Sequence, residues 1–304
     1  MLFYMEEIHI LLFYKYTDID NTKKYKEELL DICNRIGLKG RILLANEGIN
    51  GIVSGYKEQI ENFKKELIKD KRFNDIEFKE DIGTEYPFKK MQVKIKNEII
   101  KFQQNVDVKN TGKHLTPEEF IKIYENEGDK IGKDIFILDA RNNYESNVGK
   151  FKGAITPNIE KFTEFAKVVN GLEHLKDKKI VMYCTGGIRC EKASAYLKEK
   201  GFKDVSQLRG GILSFGKKFP DSVWDGTCFV FDKRMISNIN SKNDNIMNCK
   251  ICTRPCYYYN NCNNHPCNIF CSLCPECNEK YLGCCSKECF DNVVRLRKEI
   301  TVEN

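Results

Sequence analysis

The seven residues Cys184-Thr185-Gly186-Gly187-Ile188-Arg189-Cys190 constrain this chain more than any other stretch, because they set a cysteine on a glycine turn between two different periodicities. Before them, Lys179 to Tyr183 is a short apolar run containing Ile180, Val181 and Met182, the pattern of a buried parallel strand. After them, about Arg189 to Lys200 carries Ala193, Tyr196 and Leu197 at helical spacing, with Gly201 as the stop of an amphipathic helix. A strand that feeds a helix through such a turn belongs to an α/β sheet. Cys184 then stands at the carboxyl end of the strand, where open α/β sheets place their ligands.

Two consecutive glycines let successive N–H groups turn inward, and the helix that follows adds the positive end of its dipole. The loop therefore asks for an anion, most simply the sulfur of Cys184, since a thiolate at a helix N-terminus has a lowered pKa and is nucleophilic near neutral pH. The cradle is expected to consist of Thr185, Gly186, Gly187, Ile188 and Cys190, with Arg189 holding a second negative charge or orienting a substrate. The plainer alternative is a structural cysteine in a glycine turn.

Loop length separates two chemistries. A Cys-x5-Arg loop fits a phosphate dianion, whereas four residues lie between Cys184 and Arg189, which resembles the shorter cradle of a rhodanese, a resemblance that implies a persulfide.

With 304 residues the chain is long enough for about two domains and a smaller module. Its net charge of +6, from 50 basic and 44 acidic residues, biases it mildly toward anionic partners and is equally explained by a lysine-rich solvated surface. Fifteen cysteines would mean disulfides in a secreted protein. The N-terminus has no basic region followed by a long apolar segment, however, and Met1 to Tyr16, which carries Glu6, Glu7, His9 and Lys15, reads as a strand. No run approaches the roughly 18 to 20 apolar residues that cross a bilayer, so no membrane partner and a reducing, cytoplasmic location are expected.

Residues 1–105 read as strand (Ile8 to Tyr16), helix (Thr22 to Ile36), strand (Arg41 to Ala45), strand (Ile49 to Ser54), helix (Lys57 to Lys69) and a last strand region from Ile76, with Gln92 to Ile95 after it. That order predicts a ferredoxin-like, acylphosphatase-like α+β domain. Within it, Tyr86 to Lys96 interleaves lysines with aromatic residues, a pattern for nucleic-acid contact or for an ordinary lysine face on a strand. Residues 113–235 alternate strands and helices around a mostly parallel sheet: Thr116-Pro117-Glu118-Glu119 opens a helix, and Ile135 to Ala140 and Val205 to Leu208 are strands.

Here a resemblance becomes specific. Asp139, Arg141, Glu145, Gly149 and Gly153-Ala154, followed by the Cys184 loop and Gly210-Gly211, resemble a rhodanese domain, in which Asp139 and Arg141 would brace the active loop or form a structural ion pair. Lys150 stands where rhodaneses commonly carry a histidine. The flanking stretches Gly40 to Gly51 and Trp224 to Asp232 are similar to the bacterial rhodanese-containing tRNA uridine hydroxylases. That resemblance implies oxygen-dependent 5-hydroxylation of the wobble uridine, with molecular oxygen as co-substrate, the tRNA anticodon loop as partner, and no DNA. The residues themselves show no two-His-one-carboxylate triad and no flavin fingerprint. A uridine taken out of the anticodon stack needs an aromatic platform, for which Trp224 is a candidate, or else a core residue. Cys190 reads as a second redox thiol or a buried helix cysteine, and Cys228 as core.

Asn238 to Asn248 is polar and reads as a linker. Beyond it, in the module 249–304, eleven cysteines fall within 41 residues. Cys249/Cys252, Cys274/Cys277 and Cys285/Cys289 have metal-knuckle spacing, and Cys262/Cys267 supplies a fourth pair with His265 between. Eight such thiolates close two four-ligand zinc sites, with Cys256, Cys271 and Cys284 as competitors and an iron–sulfur cluster as the alternative. Two rival functions stand beside the hydroxylase: a persulfide sulfurtransferase, and a non-catalytic zinc module that grips RNA or protein.

Overall fold

The computed structural model describes residues 7–302 apart from 233, 238, 241–246, 257, 258 and 268. Residues 1–6 of the first strand reading and most of the linker reading at 238–248 thus lie outside the described residues.

The first part runs β1 (Ile8–Tyr16), α1 (Thr22–Ile36), β2 (Lys39–Ala45), β3 (Gly48–Gly55), α2 (Lys57–Ile68), β4 (Glu77–Gly83) and β5 (Met91–Ile95). Local chemistry fixes the first helix: the Asn21 side chain accepts the Lys24 amide at 3.0 Å, and Gly37 ends the helix in the left-handed region. The sheet order β4-β1-β3-β2 is that of a ferredoxin-like fold, and β5 extends it by pairing parallel to β2. One face buries Leu11, Phe13, Ile42, Leu44 and Val53 against Leu29 and Cys33 of α1 and Ile60 and Phe63 of α2. That core leaves the other face of β1 to meet the rest of the molecule.

The second part contains β6 (Lys113–Leu115), α3 (Pro117–Glu127), β7 (Ile135–Asp139), α4 (Asn143–Ser146), β8 (Gly149–Phe151), α5 (Phe165–Gly171), β9 (Lys179–Tyr183), α6 (Ile188–Glu199), β10 (Asp204–Leu208) and α7 (Gly211–Lys218). Thr116 and Glu119 form a reciprocal cap with Pro117 at the first helical position of α3. Strands β6-β10-β9-β7 make an all-parallel sheet. Parallel strands need both faces covered. One side is filled by Phe102, Phe162, Phe165 and Leu197, the other by Phe120, Phe151, Phe215 and Trp224.

Helix α6 departs from its sequence pattern. It reads as amphipathic, yet Arg189 through Leu197 are all buried, because the first part covers the polar face. Tyr14 donates its hydroxyl to Glu191 at 2.9 Å, and Lys192, only 3% exposed at its side chain, contacts Glu47 and Glu98 at 2.9 and 2.7 Å. The helix that begins at the Cys184 loop is therefore also the seam between the two parts.

The third part follows β11 (Trp224–Gly226), β12 (Cys228–Phe229) and β13 (Ile236–Ser237) and consists of β14 (Met247–Asn248), β15 (Pro255–Cys256), β16 (Tyr259–Asn261), β17 (Phe270–Ser272), α8 (Pro275–Lys280) and α9 (Lys287–Val302). Its interior is mostly cysteine. No helix among the described residues is long and apolar enough to cross a membrane.

Candidate active site

Cys184 directly follows β9, and its sulfur accepts the amide of Gly187 at 3.1 Å. The turn that allows this is tight. Gly187 has φ 101°, and a Cβ on it would lie 2.8 Å from the Tyr14 hydroxyl; Gly211, at φ 65°, lies so close that a Cβ would stand 2.4 Å from the Cys184 carbonyl oxygen. Only glycine meets both demands at once.

Burial by itself raises the pKa of Cys184. Hydrogen bonding from the Cys190 thiol, the charge of Arg189 and the amides of Arg189 and Cys190 outweigh it and bring the value down to about 6. Cys190 is pushed the other way, by its own burial and by the neighbouring thiolate, so it stays a thiol and donates. The remaining loop residues divide their work. The Thr185 hydroxyl turns to Glu145 at 3.2 Å, while Gly186 and Ile188 line the space above the sulfur.

Arg189 does not face outward for an anion. Its two terminal nitrogens meet the two carboxylate oxygens of Glu145 at 2.6 Å each. Behind this pair lies another: Arg141 grips Asp139 through Nε at 2.9 Å and a terminal nitrogen at 2.7 Å, and donates to the Glu145 and Gly149 carbonyls. Asp139 and Arg141 are fully buried, and through the Glu145 carbonyl they hold the segment that carries Glu145. Trp224 is 1% exposed, enclosed by Phe151, Tyr183 and the Arg141 guanidinium, and cannot receive a base. Cys228 is likewise interior, its thiol raised to about 12 by burial.

Cys184 closes one end of a cleft of about 320 Å³ between the first two parts. Tyr14, Lys79, Arg41 and Phe88 form the wall from the first part, and Asn142, Phe162 and Phe231 the wall from the second. The sulfur borders this space beneath its mouth and exposes no surface. There Phe231 is 47% exposed, with the Arg189 guanidinium 5.5 Å from its ring centre. The mouth opens into a wider groove of about 750 Å³ lined by Phe88, Tyr144, Phe229 and Phe270 together with Lys89, Lys101 and Lys161. All three parts contribute to it. Phe88 and Lys89 come from the lysine-aromatic stretch at 86–96, whereas Lys94 and Lys96 are simply exposed on and beside β5.

The eight paired cysteines fall into two groups, Cys249, Cys252, Cys274 and Cys277, and Cys262, Cys267, Cys285 and Cys289, each with its sulfurs within 4.8 Å of one another. A tetrahedral zinc with Zn–S bonds of about 2.3 Å requires sulfur separations of about 3.8 Å. The Cys252–Cys274, Cys267–Cys285 and Cys285–Cys289 sulfurs are 3.7, 3.6 and 3.8 Å apart. Both sets therefore fit one ion each. Cys256, Cys271 and Cys284 stay outside them as buried packing.

A cysteine held by loop amides at the carboxyl end of a parallel strand, closed by an arginine at the start of the next helix, defines a rhodanese-type domain, here set between an acylphosphatase-like domain and a cysteine-rich module capable of metal binding. Residues 8–99 match the UPF0176 acylphosphatase like domain, 116–218 the Rhodanese-like domain and 225–290 the Rhodanase C-terminal family. The tRNA uridine(34) hydroxylase of Bacillus licheniformis is 44% identical over 292 residues, spanning 93% of this chain and 88% of its own. That of Cytophaga hutchinsonii is 42% identical over 288 residues, spanning 94% and 90%. The chain belongs to the tRNA uridine(34) hydroxylase family.

Proposed function

We propose that this protein is a cytoplasmic enzyme that hydroxylates uridine 34 of tRNA at C5, with molecular oxygen as co-substrate and Cys184 as the reactive group. One observation carries the reading: the cleft that ends on a thiol with pKa about 6 opens into a groove of aromatic rings and lysines drawn from all three parts. A base attacked at a ring carbon must leave its stack, and single-stranded RNA is held by aromatic faces for the bases and cations for the phosphates. Phe231 and Phe88, rather than Trp224, stand where an extruded base enters.

In this reading Arg189 acts on Cys184 as a fixed positive charge, itself held by Glu145. Zinc occupies the two cysteine sets and supplies folding energy to a segment with little other core. The same module supplies Phe270, which packs on Tyr144 and Phe229 with ring centres 5.0 and 4.7 Å apart. An iron–sulfur cluster suits the sets less well, since thiolates on different irons are held apart by the cluster between them. The test is mass spectrometry of tRNA nucleosides. Cells lacking this gene and any parallel route are expected to lose 5-hydroxyuridine-derived nucleosides, and an unchanged profile would contradict the reading.

A further inference from the structure

The polar groups around the cleft are mostly committed. Tyr14 donates to Glu191, Thr185 and Arg189 are bound to Glu145, and Asn50 is anchored through its amide nitrogen to the Ile99 carbonyl. Three groups are left over.

Lys79 reaches across from β4, its Cε against Gly210 at the far side of the loop and its ammonium 4.8 Å from the Tyr14 ring centre, with no carboxylate within salt-bridge distance among the described residues. Arg41, on β2, has the Phe88 ring beside its guanidinium, at 5.6 Å, and no carboxylate within salt-bridge distance among the described residues. Asn142 is 9% exposed, and while its amide nitrogen donates to the Tyr144 hydroxyl at 2.9 Å, its Oδ1, at the N-cap of α4 beside the Glu145 amide, makes no full hydrogen bond among the described residues. A buried acceptor left unpaired costs about 1–3 kcal/mol, so its place in the cleft wall points to a ligand that donates to it.

The cleft thus offers two cationic donors and one buried acceptor. The Watson–Crick edge of uracil offers the complement: acceptors at O4 and O2 with the N3–H donor between them. Cytosine reverses the first two, presenting an amino donor at C4 and a bare acceptor at N3. Resting on the uridine-hydroxylase reading, we propose that Asn142 and Lys79 are the residues that select uracil: Asn142 Oδ1 accepts N3–H, Lys79 donates to O4, and Arg41 donates at the O2 side. Against cytosine, the Lys79 ammonium meets an amino group and Asn142 Oδ1 meets a lone pair. Both contacts become repulsive.

Binding tests this without any oxidant. Two anticodon stem-loops that differ only in carrying U or C at position 34 are titrated against the purified full-length protein. The wild type is expected to favour U34 by about 10- to 100-fold. Asn142→Ala and Lys79→Met are each expected to bring that ratio to within about threefold, chiefly by weakening U34, while Lys79→Arg keeps most of it. A merely structural role would weaken both loops alike and preserve the ratio, which would overturn the assignment, as would a wild-type ratio near one. If neither stem-loop binds better than a fully paired hairpin, the tRNA reading fails and the assignment with it.

Discussion

Arg189 and Glu145 meet through two contacts of 2.6 Å, with side chains 5% and 0% exposed. The guanidinium beside the Cys184 sulfur is therefore already paired with a carboxylate of its own domain. It lowers the pKa of Cys184 while paired with Glu145.

Replacing Glu145 with Gln leaves Arg189 buried without a counter-charge, a change expected to cost about 3 kcal/mol of stability. Less of the guanidinium charge would then be compensated, so the Cys184 thiol should ionise at a still lower pH. Denaturant unfolding together with the pH profile of thiol alkylation checks both signs. A loss below about 1 kcal/mol with an unmoved profile would contradict this account of the pair.

Alkylation of the unaltered protein has a definite shape. A depressed pKa means that the thiolate is present above it, so the rate at Cys184 should rise as pH climbs through about 6 and then level off. Cys33 and Cys228, each raised to about 12 by burial, should react little over the same range. Peptide mapping after a short pulse of iodoacetamide distinguishes them. Equal rates at all three would remove the case for an activated thiolate.

The parts of this site that the sequence revealed are those fixed by neighbours along the chain. The apolar run before Cys184, the paired glycines and the helix after them are local, and so are the Thr116 cap of α3 and the four cysteine pairs. What depended on distant packing was hidden. Cys249 and Cys252 join Cys274 and Cys277, rather than the intervening Cys262 and Cys267, because of the path taken by β14 to β17. Lys79 sits on a short strand of alternating character, and only the docking of β1 and β4 on the second part turns it toward Cys184. Trp224 looked available because it is the sole tryptophan in a marked stretch, yet the interior needed its bulk, and Phe231 seven residues later took the exposed place.

Metal content tests the module. Purified protein should carry about two equivalents of zinc and no visible absorption. Cys252→Ser and Cys267→Ser should each lose about one, since the two residues belong to different sets. Removing both ions should weaken tRNA binding while sparing the alkylation of Cys184, because Asn261, Ile269 and Phe270 of the module line the groove, whereas none of its described residues lines the cleft at Cys184. A brown protein containing iron and sulfide would contradict the assignment.

Phe231→Ala removes the exposed ring at the mouth of the cleft. Loss of one stacking platform corresponds to about 1–3 kcal/mol, so tRNA affinity should fall by roughly 5- to 150-fold with stability nearly unchanged. Trp224→Phe should instead lower thermal stability and leave affinity close to that of the wild type. Fluorescence titration and thermal unfolding separate the two, and the opposite pattern would return Trp224 to the role of platform.

Hydroxylation of uridine 34 through Cys184 makes this sulfur indispensable in cells. Cells lacking this gene and any parallel route are complemented with the wild type, Cys184→Ala or Cys184→Ser, and their tRNA nucleosides are measured by mass spectrometry at matched protein levels. The wild type is expected to restore the 5-hydroxyuridine-derived nucleosides and both variants to leave them absent, since a hydroxyl at neutral pH replaces neither a thiolate nor a persulfide. Full restoration by both variants would show that the chemistry does not take place on this sulfur.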